Sequence, residues 1–274
     1  MLSVFPIAVA LALFPGDAHA WGLHTHVFFA HYLLALSALA DRDLRAAARK
    51  FPAMVLVGAC LPDLALAGKA LGTPVFRHAH RWCTLRRMAA APRDDLERAL
   101  ALGYASHLVV DVIAHNLFVP EHEARLVRIQ HVTHAIAEWA MDDYIAPRAP
   151  GRPSEVMAEN QAAVARFAAR TFRCPVPLTL QALGFLQAAD GALRASPIPR
   201  ACRGIVRLFD RRIEPRFDAY VRRSAASLRA VEEAMAGRFV DWESSDPEGQ
   251  SRDERAERRA RQHIARIMQA EHHS

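Results

Sequence analysis

Three ionisable side chains at four-residue spacing lie inside an apolar run. His107, Asp111 and His115 are separated almost entirely by Leu, Val, Ile and Ala residues. Four residues advance an α-helix by about 400°, so the three side chains share one face and drift by only about 40° per step. A buried carboxylate or imidazole without a partner is costly. The run therefore predicts a buried helix whose polar face is satisfied by a cation or by other polar groups.

The next apolar segment repeats this pattern with His134 and Glu138, and His131 stands one turn earlier. Imidazole nitrogens and carboxylate oxygens are ordinary zinc ligands. Two antiparallel helices with such residues on their inner faces can build a metal centre inside a bundle. The alternative is a set of buried His–acid pairs that only hydrogen-bond.

Helical spacing of apolar residues extends along most of the chain, while strand-like alternation with Asn-Gly or Asp-Gly turns is scarce. With 274 residues, of which 52% are hydrophobic, the chain can bury a full core. We predict an all-α, single-domain multi-helix bundle with the metal site between helices. The expected helices span 27–39, 44–50, 94–118, 123–144, 155–172, 178–189 and 205–235, the last with a kink or break at Pro215.

The N-terminal residues have the features of an export signal. An apolar run from Met1 to Phe14, too short to span a bilayer, precedes the small-x-small signal Ala18-His19-Ala20. We expect residues 1–20 to be a signal peptide, so that the protein is periplasmic or secreted and begins at Trp21; the alternative is an uncleaved anchor. A helical domain over 21–242 and a charged C-terminal tail or helix over 243–274 complete the predicted organisation.

The four cysteines are compatible with an exported protein but do not form a CxxC metal motif. Export permits disulfides, and pairing of Cys60 with Cys83 and of Cys174 with Cys202 would close short local loops. Buried free thiols are the alternative.

Further candidate ligands precede the apolar run. His24 and His26 follow Trp21, Asp63 ends an apolar stretch, and His78 and His80 come fifteen and seventeen residues after Asp63. Together with the two helices, these residues offer more ligands than one zinc ion needs.

The candidate ligands resemble, in order and rough spacing, the trinuclear site of bacterial zinc-dependent phospholipases C. The resemblance covers about 21–138 and rests on Trp21, His26, Asp63, His80 (alternatively His78), His107, Asp111, His115, His134 and Glu138. Fungal single-strand nucleases share this site architecture, and the Trp-to-His spacing of five here is similar to theirs. The Leu-Pro-Asp and His-x-x-x-Glu elements are more typical of the phospholipases.

The resemblance implies up to three zinc ions. The first would be held by the α-amine and carbonyl of Trp21 with His26 and Asp111, the second by Asp63, His80, His107 and Asp111, and the third by His115, His134 and Glu138. Asp111 would bridge two ions, and Asp63 would also orient or deprotonate the attacking water as the catalytic residue. His115 follows Asp111 more closely than in better-known members, which implies a displaced or weakly held third ion.

The implied activity is phosphodiester hydrolysis by metal-activated water, and the main interpretation is a phospholipase C acting on phospholipid head groups. The expected partner is a phospholipid or another phosphodiester, with transient membrane-surface contact. No stable nucleic-acid partner is expected, since aromatic residues make up only 8% of the chain and nucleic-acid clefts need stacking platforms. The alternatives are a single-strand nuclease or phosphodiesterase with the same site, and a non-catalytic exported zinc-binding helical protein.

Overall fold

The protein is all-helical throughout the residues that the computed structural model describes, which are 22–36, 39–118, 121 and 130–238. The predicted all-α bundle is confirmed. The helices are α1 (Leu23–Leu36), α2 (Arg42–Lys50), α3 (Pro52–Gly58), α4 (Leu64–Ala70), α5 (Trp82–Ala90), α6 (Asp95–Ile113), α7 (Gln130–Ile145), α8 (Pro153–Val156), α9 (Gln161–Phe172), α10 (Val176–Ala195), α11 (Ile198–Phe209), α12 (Ile213–Ser227) and α13 (Val231–Met235).

Helix α6 forms the centre of the bundle. Asp94 caps its N-terminus by accepting from the Glu97 amide at 2.9 Å, and the Glu97 side chain accepts from the Arg93 amide at 3.0 Å. Every residue from Ala99 to Ile113 is buried, and α1, α2, α3, α5, α12 and α13 all pack against this helix. The predicted helix over 94–118 is therefore present, but its last turn, Ala114–Phe118, is π-helical.

Helices α3 and α6 approach each other backbone to backbone at two glycines. A Cβ on Gly58 would lie 2.2 Å from the Leu100 carbonyl oxygen, and one on Gly103 would lie 1.9 Å from the Val55 carbonyl oxygen. Any larger side chain at either position would push the helices apart. This crossing brings the end of α3 close to the side chain of His107 on α6.

The segment Pro52–Ala70 is long and apolar enough to cross a membrane by length and composition. In the structure, however, it comprises α3, a 3₁₀ turn over Leu61–Asp63, and α4. Most of it is buried within the protein, and it carries the buried Asp63. It is accordingly a core segment that contributes to the site described below.

The predicted helix over 205–235 is divided at a different place from the one expected. The break falls at Asp210–Arg212, between α11 and α12, and Pro215 is instead the third residue of α12. A proline is tolerated there because the amides of the first helical turn have no intrahelical partner.

The four cysteines are free thiols in the structure. The proposed pairs, Cys60 with Cys83 and Cys174 with Cys202, are therefore not formed. Cys60 instead lies 3.6 Å from the Leu56 carbonyl oxygen within its own turn, and Cys174 lies 3.3 Å from the Thr179 hydroxyl. The expected signal peptide over 1–20 and the tail over 243–274 lie outside the described residues.

Candidate metal centre

His107 and Asp111 face each other on the buried side of α6. Neither side chain is exposed, and His107 Nε2 lies 3.1 Å from Asp111 Oδ2. His107 Nδ1 is 2.7 Å from the carbonyl oxygen of Ala59. A carbonyl only accepts, so Nδ1 carries the proton, and in the neutral ring Nε2 presents its lone pair to the site. Metal-binding histidines are commonly oriented by such a hydrogen bond.

His80 and Asp63 extend this cluster from the loop before α5 and from the 3₁₀ turn before α4. His80 Nε2 lies 3.2 Å from His107 Nε2, 3.3 Å from Asp63 Oδ1 and 3.9 Å from Asp111 Oδ2. Both His80 and Asp63 are almost fully buried. The side chains of three separate chain segments therefore point at one small volume.

The loop that carries His80 is anchored at two backbone carbonyls. The Tyr104 hydroxyl on α6 donates to the Ala79 carbonyl, and the Thr84 hydroxyl donates to the His78 carbonyl at 2.7 Å. His78 Nε2 accepts from Arg77 Nε at 2.9 Å, and its side chain is only half-buried. Of the two candidates at this position, His80 is the one that the structure brings to Asp63.

His26 joins the cluster from α1. Its Nε2 lies 3.4 Å from Asp111 Oδ1, and its ring stacks on the His107 ring with 3.5 Å between centroids and 7° between planes. The imidazole is fully buried. Asp111 thus directs one oxygen toward His26 and the other toward His107 and His80.

These side chains form two overlapping groups of metal-ligand atoms, His26–His107–Asp111 and Asp63–His80–His107, with all atoms of each group within 4.8 Å of one another. Ligands about 2.1 Å from a tetrahedral zinc ion lie about 3.4 Å apart. Neither Asp111 oxygen receives a hydrogen bond from any described residue. A buried convergence of nitrogen and carboxylate oxygen atoms at this spacing fits a divalent cation.

The protonation of the two central histidines is coupled. Burial, together with the neighbouring His107, lowers the pKa of His80 to about 3. Burial alone would also lower the pKa of His107, but the Asp111 and Asp63 carboxylates raise it above its ordinary value. At neutral pH His80 is therefore an unprotonated imidazole, the form that binds a metal ion.

Two of the three residues predicted to hold a third ion, His115 and Glu138, belong to neither of these two groups. His115 is half-buried in the π-helical turn Ala114–Phe118, and Glu138 is buried on α7. His115 follows Asp111 by four residues, across the change from the α-helix to the π-helical turn. Trp21 and the side chain of His134 lie outside the described residues, and the third site remains a prediction.

A buried carboxylate that the sequence analysis missed holds the first turn of α1. Asp142 Oδ1 accepts from the Thr25 amide at 3.0 Å and from the Thr25 hydroxyl at 2.6 Å. Arg194 forms an ion pair with Asp142 and donates to Asp190 at 3.2 Å. A Cβ on Gly22 would lie 2.0 Å from Asp142 Oδ2, so a side chain at this position would displace the Asp142 carboxylate.

This network positions the turn that carries His26. In the sequence, Asp142 directly follows the apolar run Trp139-Ala140-Met141 and comes four residues after Glu138, which places the two acids on the same helical face. The acids of this network are removed from solvent: burial raises the pKa of Asp190 although the nearby Arg194 acts to lower it. His24 lies in the same region, buried, and burial lowers its pKa.

The comparisons with known proteins agree with this geometry. A family model described as zinc dependent phospholipase C matches residues 25–173, more than half of the 274-residue chain, and this range contains all five converging side chains. Neither the curated proteins nor the solved structures provide a match. The chain belongs to the zinc-dependent phospholipase C family and is a hydrolase.

Proposed function

We propose that the protein cleaves phospholipids on the glycerol side of phosphorus, with water as the nucleophile, and releases a diacylglycerol and a phosphorylated head group. The observation that supports this most strongly is the buried convergence of His26, Asp63, His80, His107 and Asp111, within the range of the family match. Such a site needs no serine or cysteine nucleophile. When bound, zinc would lower the pKa of a water molecule and supply positive charge that stabilises the phosphoryl oxygens.

The proposed ligand sets follow the two groups in the structure. His26 and Asp111, with the amine and carbonyl of Trp21 after cleavage, would hold one ion, and Asp63, His80, His107 and Asp111 would hold a second. The 3.4 Å and 3.1 Å contacts of the two Asp111 oxygens support a bridging role for this carboxylate. His115, His134 and Glu138 would hold the third ion.

Asp63 is proposed to receive the proton of the attacking water. It is the last residue of the buried 3₁₀ turn Leu61–Asp63. Its Oδ1 lies 3.3 Å from His80 Nε2, at the edge of the cluster formed by the two central histidines. A carboxylate held there can orient a water molecule and accept its proton.

Export and maturation complete the proposal. Removal of residues 1–20 would free the Trp21 amine, and an α-amine has a pKa of about 8 and binds metal when it is unprotonated. A periplasmic or secreted enzyme of this kind would meet its substrate at a membrane surface and contact that surface transiently.

The test is turnover by the zinc-loaded mature protein on phosphatidylcholine micelles, single-stranded DNA and bis-p-nitrophenyl phosphate. We expect hydrolysis of the phospholipid with release of phosphocholine, and loss of that activity in Asp63→Asn. The matched control is Asp95→Asn, a partly exposed carboxylate at the opposite end of α6. Preferred cleavage of DNA would identify a nuclease, and no cleavage of any substrate would indicate a metal site that serves stability alone.

A further inference from the structure

Two adjacent apolar side chains at the end of α11 are exposed to solvent. Leu208 is 83% exposed and Phe209 is 60% exposed, the highest values among the large hydrophobic side chains of the described residues. Single exposed apolar residues are common on protein surfaces, but adjacent, fully presented Leu and Phe side chains at a helix end are less so. Exposing them costs free energy that burial in another apolar phase would recover.

The surroundings of this pair are cationic. Nearby acids are already engaged, because Glu214 pairs with Arg203 and Arg207, and Asp210 pairs with Arg216 at 2.6 Å. Arg211 and Arg212 follow directly, are exposed, and make no side-chain ion pair in the described part of the chain. Apolar side chains flanked by free arginines suit the boundary between anionic head groups and acyl chains.

Hydrogen bonds connect this surface to the turn that follows the metal-binding helix. Arg216 joins Asp210 to Glu121, to which it donates at 2.9 Å. Tyr220 on α12 donates to Glu121 and reaches the carbonyl oxygen of Leu117 at 3.4 Å. Leu117 belongs to the π-helical turn that carries His115. Hydrogen bonds from Arg216 and Tyr220 on α12 therefore connect the segment next to the exposed pair with the turn that follows α6, the helix that carries His107 and Asp111.

We propose that Leu208, Phe209, Arg211 and Arg212 form a membrane-contact surface that docks on an anionic lipid bilayer. The inference rests on the proposed function for its biological purpose, which is to bring the metal centre to lipid substrate. The apolar pair inserts among the acyl chains at the head-group boundary, and the two arginines are attracted by the net negative charge of anionic head groups.

The test measures binding of the zinc-loaded full chain to vesicles by co-sedimentation. The vesicles contain phosphonate analogues of phosphatidylglycerol or phosphatidylcholine, in which carbon replaces the glycerol oxygen on phosphorus, so that binding is measured without hydrolysis. We expect Leu208→Ser/Phe209→Ser to lower the partition coefficient about tenfold or more on both lipids. Arg211→Ala/Arg212→Ala should lower it on phosphatidylglycerol alone.

The matched controls are Leu180→Ser, an exposed leucine on α10, and Arg166→Ala/Arg173→Ala, two exposed arginines elsewhere. Both should bind like the wild type. Equal binding by the Leu208→Ser/Phe209→Ser variant, or no vesicle binding by the wild type, would overturn the proposal. A change from dimer to monomer in the variant, without loss of vesicle binding, would also overturn it and assign the surface to a second copy of the chain.

A second readout separates this inference from the proposed function. Hydrolysis of short-chain phosphatidylcholine below its micelle concentration should be equal in the wild type and the Leu208→Ser/Phe209→Ser variant, whereas hydrolysis of bilayer substrate should fall in the variant. A wild type that binds vesicles through this surface but hydrolyses no phospholipid would contradict the proposed function and leave the membrane contact intact.

Discussion

Replacing Gly103 by alanine tests whether the close crossing of α3 and α6 holds His107 in place. The new Cβ would lie 1.9 Å from the Val55 carbonyl oxygen, whereas ordinary contact begins at 3.4 Å. The two backbones would have to separate locally by about 1.5 Å. The same movement would break the 2.7 Å hydrogen bond between His107 Nδ1 and the Ala59 carbonyl, because Ala59 directly follows α3.

The expected cost follows from three contributions. Overpacking in a core costs about 1–3 kcal/mol, and loss of a buried hydrogen bond costs about 1 kcal/mol. Alanine offsets about 1 kcal/mol of this through its higher helix propensity. The free energy of unfolding of the Gly103→Ala variant should therefore be about 2 kcal/mol lower than that of the wild type.

The assay is urea unfolding of the metal-free protein, followed by zinc competition with a chromophoric chelator. Gly184→Ala is the matched control, since α10 leaves nothing within 4 Å of a Cβ there. It should be neutral or up to about 1 kcal/mol more stable, with unchanged zinc affinity. Equal stability and equal zinc affinity in Gly103→Ala and the wild type would refute the reasoning.

Three further predictions concern the metal centre and its support. Asp111→Asn should cost two zinc ions per chain by elemental analysis, and the loss of a single ion would contradict the bridging role. One extra residue before Trp21 should cost one ion while circular dichroism stays unchanged, and an unchanged ion content would argue against the amine ligand. Asp142→Ala should lower the free energy of unfolding by about 3 kcal/mol, because it leaves the buried Arg194 with Asp190 alone, and a neutral result in urea unfolding would contradict that.

The helical class and the central ligands were accessible from sequence because both depend on local periodicity. His107 and Asp111 are four residues apart, which places them on the same face of any α-helix. The residues around them in the sequence are apolar, so this face is expected to be buried. The change to a π-helical turn at Ala114 leaves no signal in hydrophobic spacing, and the assignment of His115 to a third ion stays a prediction.

Features created by tertiary contact were not predictable in this way. The break in the helix over 205–235 falls at Asp210–Arg212 rather than at Pro215, because a proline in a first turn costs no hydrogen bond. The reciprocal contact of Gly58 and Gly103 depends on how two helices cross. Asp142 was passed over because its partners, Thr25 and Arg194, are distant in sequence.

The central claim is that buried histidines and carboxylates from separate segments hold a group of metal ions. The most direct measurement is the zinc content of the purified protein, determined by elemental analysis on a sample whose N-terminus has been sequenced. We predict three ions per chain and Trp21 as the first residue. A protein that retains no ion, or only one, would contradict the two overlapping ligand groups and with them the proposed hydrolytic centre.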